Sequence, residues 1–409
     1  MKNIIILFFI LSMTSCFSSK EETKVSRVAT INKSDGKQVK IKEVWSIGNS
    51  SLENAITVGL NIAATNTQIF VANGNTVYAY DKNSGRKIWE KDIIAKHTPK
   101  KRYKEETSFV ASLFVKDNYG DEGNYDVQIT AGPIADSQIV VIGGSRGEVV
   151  MLDANNGNRL AIAYLDSPIL ANPHIYYDQI LIKTEDSYVR SLDRKDLSLR
   201  WNYSQIPSGF NIKGSSSIVT NNDKIFVGFD NGKLVALNNT GVTEWLRRIG
   251  IPKGRNSLSR MVDVDSPAIV DGDNVYSVSF QGRAMSLDIG SGKVNWIREM
   301  SSILGGDVIG NILFFVDSET NIRALSKKSG SDIWSQEGLR NRITAPPIVD
   351  NNLIIVGDFE GYIHWIDSKS GNILFRARVS KDKIIKLAKI DDMIAALDIE
   401  GDLYLFRKL

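Results

Sequence analysis

Residues 274–300, NVYSVSFQGRAMSLDIGSGKVNWIREM, set the pattern for the whole chain. NVYSVSF alternates large and small side chains, QG interrupts it, RAMSLD alternates again, IGSGK interrupts, and VNWIRE carries a tryptophan. Period-two runs of five to seven residues divided by Gly-bearing turns predict antiparallel strands in a meander. A single meander leaves one face uncovered, so it needs neighbours of its own kind.

The chain supplies them. The same order begins again at Gln68, Gln138, Gln179, Lys224, Asn311 and Asn352: a hydrophobic run, a polar or Gly turn, a YALD-like strand, a second turn and, in most units, Trp. With Asp81, Asp153, Asp193, Asn238, Asp288, Ser326 and Asp367 as markers, the steps are 72, 40, 45, 50, 38 and 41 residues. Self-similarity at about 40–50 residues with four strands per unit predicts a β-propeller rather than a solenoid. The fourth, innermost strand is expected at Gly132-Pro133-Ile134, Ser266-Pro267-Ala268 and Ala345-Pro346-Pro347-Ile348.

The two ends complete the count. Residues 392–409, DMIAALDIEGDLYLFRKL, hold the second and third strands of a further unit but no Trp strand. IKEVWSI, at 41–47, carries Trp45 near the other terminus. Pairing it beside residues 403–406 closes the ring, giving an all-β fold: an eight-bladed β-propeller of four-stranded antiparallel blades, with the N- and C-terminal strands sharing one blade. Closure also removes two strand edges that would invite aggregation.

Residues 1–15 read as a secretory signal: Lys2, an apolar run at 4–11 too short to span a membrane, then small polar residues before Cys16. Small residues ahead of a Cys resemble the bacterial lipobox, which implies acylation at Cys16. Phe17, not Asp, follows, and points to the outer membrane. The alternative, an ordinary signal peptide, leaves a lone thiol in an oxidising compartment. Residues 16–40 are rich in Ser, Thr, Lys and Glu and are expected to be a flexible tether, with the propeller spanning 41–409. An insertion at about 94–127 accounts for the step of 72. Its HTPKKRYKEE run sets basic residues beside Glu105 and Glu106, so a solvated insertion is expected ahead of a contact arm for a partner or membrane.

Net charge is +3, or +2 without Lys2, which gives no electrostatic case for nucleic acid. His97, His174 and His364 have no metal-ligand spacing, and no nucleophile motif or phosphate loop is present. Neither metal nor cofactor is expected. The Asp residues after each YAL-type strand are expected to cap tight turns by accepting backbone N–H bonds. Gly85, Gly157, Gly292, Gly330 and Gly371 suit positive φ at those turns, and the residues four further on are Trp89, Ala161, Trp296, Trp334 and Phe375. One bulky aromatic per unit, with Trp201 and Trp245 in the same place, predicts packing between blades.

YAYDKNSGRKIW, MSLDIGSGKVNW and HWIDSKSGNILF resemble the pyrroloquinoline-quinone (PQQ) enzyme repeat. That repeat is shared by quinoprotein dehydrogenases and by the BamB family, the lipoprotein subunits of the outer-membrane β-barrel assembly (BAM) machinery. The dehydrogenases are usually much longer, and the alcohol dehydrogenases among them use a Cys pair, whereas this chain has one Cys. SRMVDVDSP at 259–267 resembles the RLSDVDTTP segment of the BamB family, and IPSGFNIKG at 206–214 its MPSLSLRG segment. In that family the two loops bind a periplasmic POTRA domain of BamA. The resemblance therefore implies Phe210, Ile212, Lys213, Asp263 and Asp265 as contact residues, with Arg260 in support. It implies an outer-membrane, lipid-anchored, periplasm-facing scaffold of the BAM complex with no catalytic residues, which assists insertion of β-barrel proteins and meets unfolded precursors. The alternatives are a quinoprotein oxidoreductase and a lipoprotein propeller for another envelope partner.

Overall fold

A computed structural model describes residues 28–30, 37–38, 41–48, 59–96, 124–207, 216–221, 223–251 and 262–408. Eight sheets of four consecutive or ring-closing strands stand around one axis, as the repeat predicts. Blades 1 to 7 follow the chain, with their strands inside 63–92, 129–164, 174–204, 219–248, 269–299, 306–336 and 348–378. Blade 8 takes its three inner strands, Ile384–Ile390, Met393–Asp398 and Leu403–Lys408, from the end of the chain, and its outer strand, Ile41–Ile47, from the beginning. Trp45 faces Leu405 in that register.

Two short additions flank the blades. Gly59–Leu60 runs parallel to the inner strand of blade 2, and Lys37–Gln38 parallel to the outer strand of blade 7. The antiparallel order defines two faces. Connections from an outer strand to the next inner strand, and hairpins between second and third strands, open on what is called the upper face. The remaining hairpins open on the lower face. Within the insertion, Ile94–Lys96 and Asn124–Asp126 pair as a ribbon at its foot on the upper face, while 97–123 lies outside the described residues.

The inner strands depart from expectation in one respect. Gly132-Pro133-Ile134 does fall within Ile129–Ala135, where a register shift accommodates Pro133. In blades 5 and 7 the strand starts only after the prolines, at Ile269 and Ile348. Proline has no N–H to donate to a ladder, so the strand begins once donors resume.

Blades are held to one another by apolar layers. The layer between blades 4 and 5 joins Phe226, Leu234, Ala236 and Trp245 to Val275, Met285 and Leu287. The tryptophans extend these layers outward. Trp245 lies on Gly292 of the next blade and donates from Nε1 to the Ile289 carbonyl at 3.0 Å. Trp45, Trp89, Trp201, Trp296 and Trp334 repeat both contacts at their own junctions. Each needs a bare Gly in the neighbouring turn. The two units without Trp are those whose neighbour cannot offer one. Opposite Ala161 the turn carries Leu197, buried at φ 60° and packed in the same apolar layer. After Phe375, blade 8 has chain termini where that turn would be. The turn Asp residues cap as expected: Asp81 Oδ1 accepts from the Ser84 N–H at 2.8 Å, and Asp288 Oδ1 from that of Ser291 at 2.8 Å. On the lower face, Lys82–Asp391 at 2.7 Å and Arg194–Asp136 at 2.6 Å bridge adjacent blades.

Candidate functional site

The sequence-based site maps to the upper face at blades 3 to 5. Of its residues, Asp263 and Asp265 are described; Phe210, Ile212, Lys213 and Arg260, like Cys16, lie outside the described residues. The loops that hold the first four join blade 3 to blade 4 and blade 4 to blade 5. Their visible stems carry Ile206, 85 % exposed, and Ile251, 41 % exposed.

The segment 262–265 folds onto blade 4. A Cβ at Gly228 would meet the Val264 carbonyl oxygen at 2.4 Å, so only glycine lets that backbone approach. Phe280 N–H donates to the Asp263 carbonyl at 2.7 Å and fixes the other side of the segment. These constraints turn the Asp263 side chain inward. It is 1 % exposed, and neither its carboxylate oxygens nor those of Asp265 receive a donor from neutral or cationic groups.

Facing them is Lys183, at the end of the second strand of blade 3. The corresponding positions in blades 4 to 7 hold Gly228, Val278, Val316 and Gly357. Lys183 is buried, donates from Nζ to the Gly228 carbonyl at 2.7 Å, and lies 5.4 Å from the centre of the Phe229 ring. Asp230 completes the group, accepting from Ser187 Oγ at 3.0 Å.

Three carboxyl groups and one ammonium are thus gathered in a nearly dry place. Burial, and then the neighbouring Asp265 charge, pushes the Asp263 carboxyl up to about 9. Burial raises Asp265 to about 6 against the pull of Lys183. Lys183 is itself lowered by burial and held up by Asp263, Asp265 and Asp230. Burial thus favours the protonated form of Asp263 near neutral pH.

Asp263 faces inward, and neither it nor Asp265 accepts a backbone N–H. They lie at the end of the loop that joins blade 4 to blade 5. The missed residue, Lys183, had a signal in the repeat itself: a cation where aligned units carry Gly or Val. Of the histidines, His174 bonds Thr220 at 2.9 Å in blades 3 and 4, and His364 bonds Asp358 at 3.1 Å in blade 7. Among the described residues no three His, Cys, Asp or Glu side chains are placed to share a metal, and no helix is long and apolar enough to cross a membrane.

The family model described as "Outer membrane protein assembly factor BamB" matches residues 74–336 and 318–405. The outer membrane protein assembly factor BamB of Shewanella oneidensis is 28 % identical over 407 residues, covering 98 % of this chain and 97 % of that protein. Among solved structures, BamB from Moraxella catarrhalis superposes with a TM-score of 0.76 at 20 % identity, covering 90 % of this chain and all of that one. The quinohemoprotein alcohol dehydrogenase from Comamonas testosteroni does so with a TM-score of 0.67 at 13 % identity, over 93 % of this chain and 78 % of that one. At these identities the two structural likenesses speak for the fold alone.

Proposed function

The chain belongs to the BamB family of outer membrane protein assembly factors, and from that premise we propose that it is a non-enzymatic scaffold of β-barrel assembly in the outer membrane. Its upper face at blades 3 to 5 holds a periplasmic POTRA domain of BamA, and acylation at Cys16 anchors it to the membrane with the propeller in the periplasm. The observation that carries the partner site is the pair of exposed isoleucines, Ile206 and Ile251, on the stems of the two loops that flank the buried Lys183–Asp263 group.

Exposed apolar side chains rimmed by charge suit a protein interface, where a few anchors supply most of the binding energy. Phe210 and Ile212 are assigned as anchors, and Lys213 with Arg260 as rim contacts. Asp263 and Asp265 act from beneath, fixing where the second loop ends. The scaffold carries substrate barrels to BamA without chemistry of its own.

Affinity capture of the full-length protein from solubilised envelopes, with mass spectrometry of what is retained, tests the assignment. BamA should dominate the capture, and Cys16→Ser should move the protein to the soluble periplasmic fraction. Capture without BamA, or a Cys16→Ser protein that still sediments with membranes in high salt, would contradict it.

A further inference from the structure

Among the described residues, the N-terminal arm is fastened to the propeller at two places before it enters blade 8. Ala29 N–H donates to the Arg340 carbonyl at 3.0 Å, and Arg342 Nη1 donates to the Ala29 carbonyl at 3.1 Å. Both arginines belong to the connection from blade 6 to blade 7, on the upper face. Further on, Lys37 and Gln38 run parallel to the outer strand of blade 7, beside Phe375 and Arg376.

The first attachment is rigidly built. Arg342 is 4 % exposed and Asp358 and His364 are fully buried. Arg342 donates to Asp358 Oδ2 from Nε at 3.2 Å and from Nη2 at 3.0 Å, His364 Nε2 contacts the same oxygen at 3.1 Å, and Glu360 also pairs with Arg342. Phe359 lies with its ring 4.8 Å from the guanidinium carbon. Three sides of the guanidinium are thus fixed by blade 7, and an N–H of Nη1 is given to the arm. A guanidinium's planar fork loses little freedom when it adds one more bond in its own plane.

We infer that Arg340 and Arg342 together clamp the arm at Ala29, both bonds being needed, so that the chain leaves Val28 from the upper face, which turns that face toward the membrane. The inference rests on the proposed acylation at Cys16. Its consequence is a matter of reach. From Cys16 to Val28 is twelve residues, at most about 43 Å fully extended; from Cys16 to Lys37, the second attachment, is twenty-one, at most about 76 Å. The clamp therefore shortens the leash by about two fifths and moves its exit from the outer strand of blade 7 to the face that carries the 206–215 and 251–265 connections. A body held by a short leash on one face keeps that face nearest the anchor.

The test uses the acylated full chain on phosphatidylethanolamine–phosphatidylglycerol vesicles containing an acceptor-dye lipid. A donor dye is placed at Ser318→Cys on the upper hairpin of blade 6, or at Lys328→Cys on its lower hairpin; both positions are exposed. Transfer from position 318 should be at least twice that from position 328. Ala29→Pro deletes the donor to Arg340 while leaving the Arg342–Asp358–His364 group in place. It should equalise the two transfers and speed hydrogen exchange in peptides covering 28–38 at least tenfold, with 353–367 unchanged. Equal transfer in the wild type, or an Ala29 amide that exchanges freely there, would overturn the inference. Loss of vesicle binding with Ala29 still protected would instead overturn the Cys16 anchor, and the orientation with it, while the clamp would stand.

Discussion

Trp45 lies flat against Gly85: a methyl group on Gly85 would stand 2.7 Å from two atoms of the indole, and Trp45 Nε1 donates to the Lys82 carbonyl at 3.0 Å. Trp45 completes blade 8 and Gly85 belongs to blade 1, so one stacked pair joins the shared blade to the first blade. Gly85→Ala adds bulk under the ring and places Ala at φ +69°. It should cost roughly 2–3 kcal/mol, as overpacked cores do. Urea unfolding followed by tryptophan fluorescence measures this, and a loss below about 0.5 kcal/mol would show that the stack is dispensable.

The junction between blades 2 and 3 gives a coupled test. Leu197 fills the space that Trp and Gly share elsewhere, beside Ala161. Leu197→Gly alone should destabilise by about 2–4 kcal/mol by opening a cavity. Ala161→Trp alone should destabilise through overlap with Leu197. Together they rebuild the module of the other junctions, and the double variant should be more stable than either single variant. Strict additivity in the double-mutant cycle would contradict that account.

These junctions also show how far the sequence could be read. The repeat phase, the eight blades and the closing strand followed from period-two runs and regular turns, because those patterns depend only on neighbours in the chain. Trp45 beside 403–406 was legible because an unfinished last unit needs a partner. The inward turn of Asp263 was not legible. It depends on Gly228 admitting the Val264 carbonyl and on Lys183, which lies 80 residues earlier in sequence (263 − 183). A DVD segment looks the same whether its carboxylates face water or a buried ammonium.

The buried group makes stability depend on pH. Asp263 and Asp265 have folded pKa values raised to about 9 and about 6 from 3.8. A raised folded pKa favours folding fully below the unfolded value, and that contribution is lost as pH rises through the folded value. Between pH 5 and 8 the two carboxyl groups should therefore lower stability with rising pH, by at most roughly 1.4 kcal/mol per unit for Asp263. Lys183, with its pKa lowered by burial, opposes this, since a depressed lysine pKa adds stability as pH rises. Differential scanning calorimetry across that range should show Asp263→Asn with a flatter dependence than wild type. Parallel slopes would mean that Asp263 ionises as an ordinary surface carboxylate.

Lys183→Met leaves three carboxyl groups without their cation. Removing one partner from a buried charged group typically costs about 3–5 kcal/mol, and denaturant unfolding should show a loss of that order. Adding Asp263→Asn should return part of it, because one potential charge no longer needs compensation. If the second substitution only deepens the loss, Lys183 and Asp263 do not act on each other.

The central claim is that the upper face at blades 3 to 5 binds BamA. Its most direct measurement is isothermal titration of the purified periplasmic domains of BamA into wild type and two double variants. Ile206→Ala with Phe210→Ala trims the upper face; Leu199→Ala with Val242→Ala trims exposed apolar groups, 56 % and 59 % accessible, at the lower side of blades 3 and 4. Loss of interface anchors should weaken the upper-face variant at least 30-fold, equivalent to about 2 kcal/mol. The lower-face variant should bind as wild type, and both should keep the wild-type melting temperature. Unchanged affinity after the upper-face substitutions, or a comparable loss after the lower-face ones, would contradict the assignment.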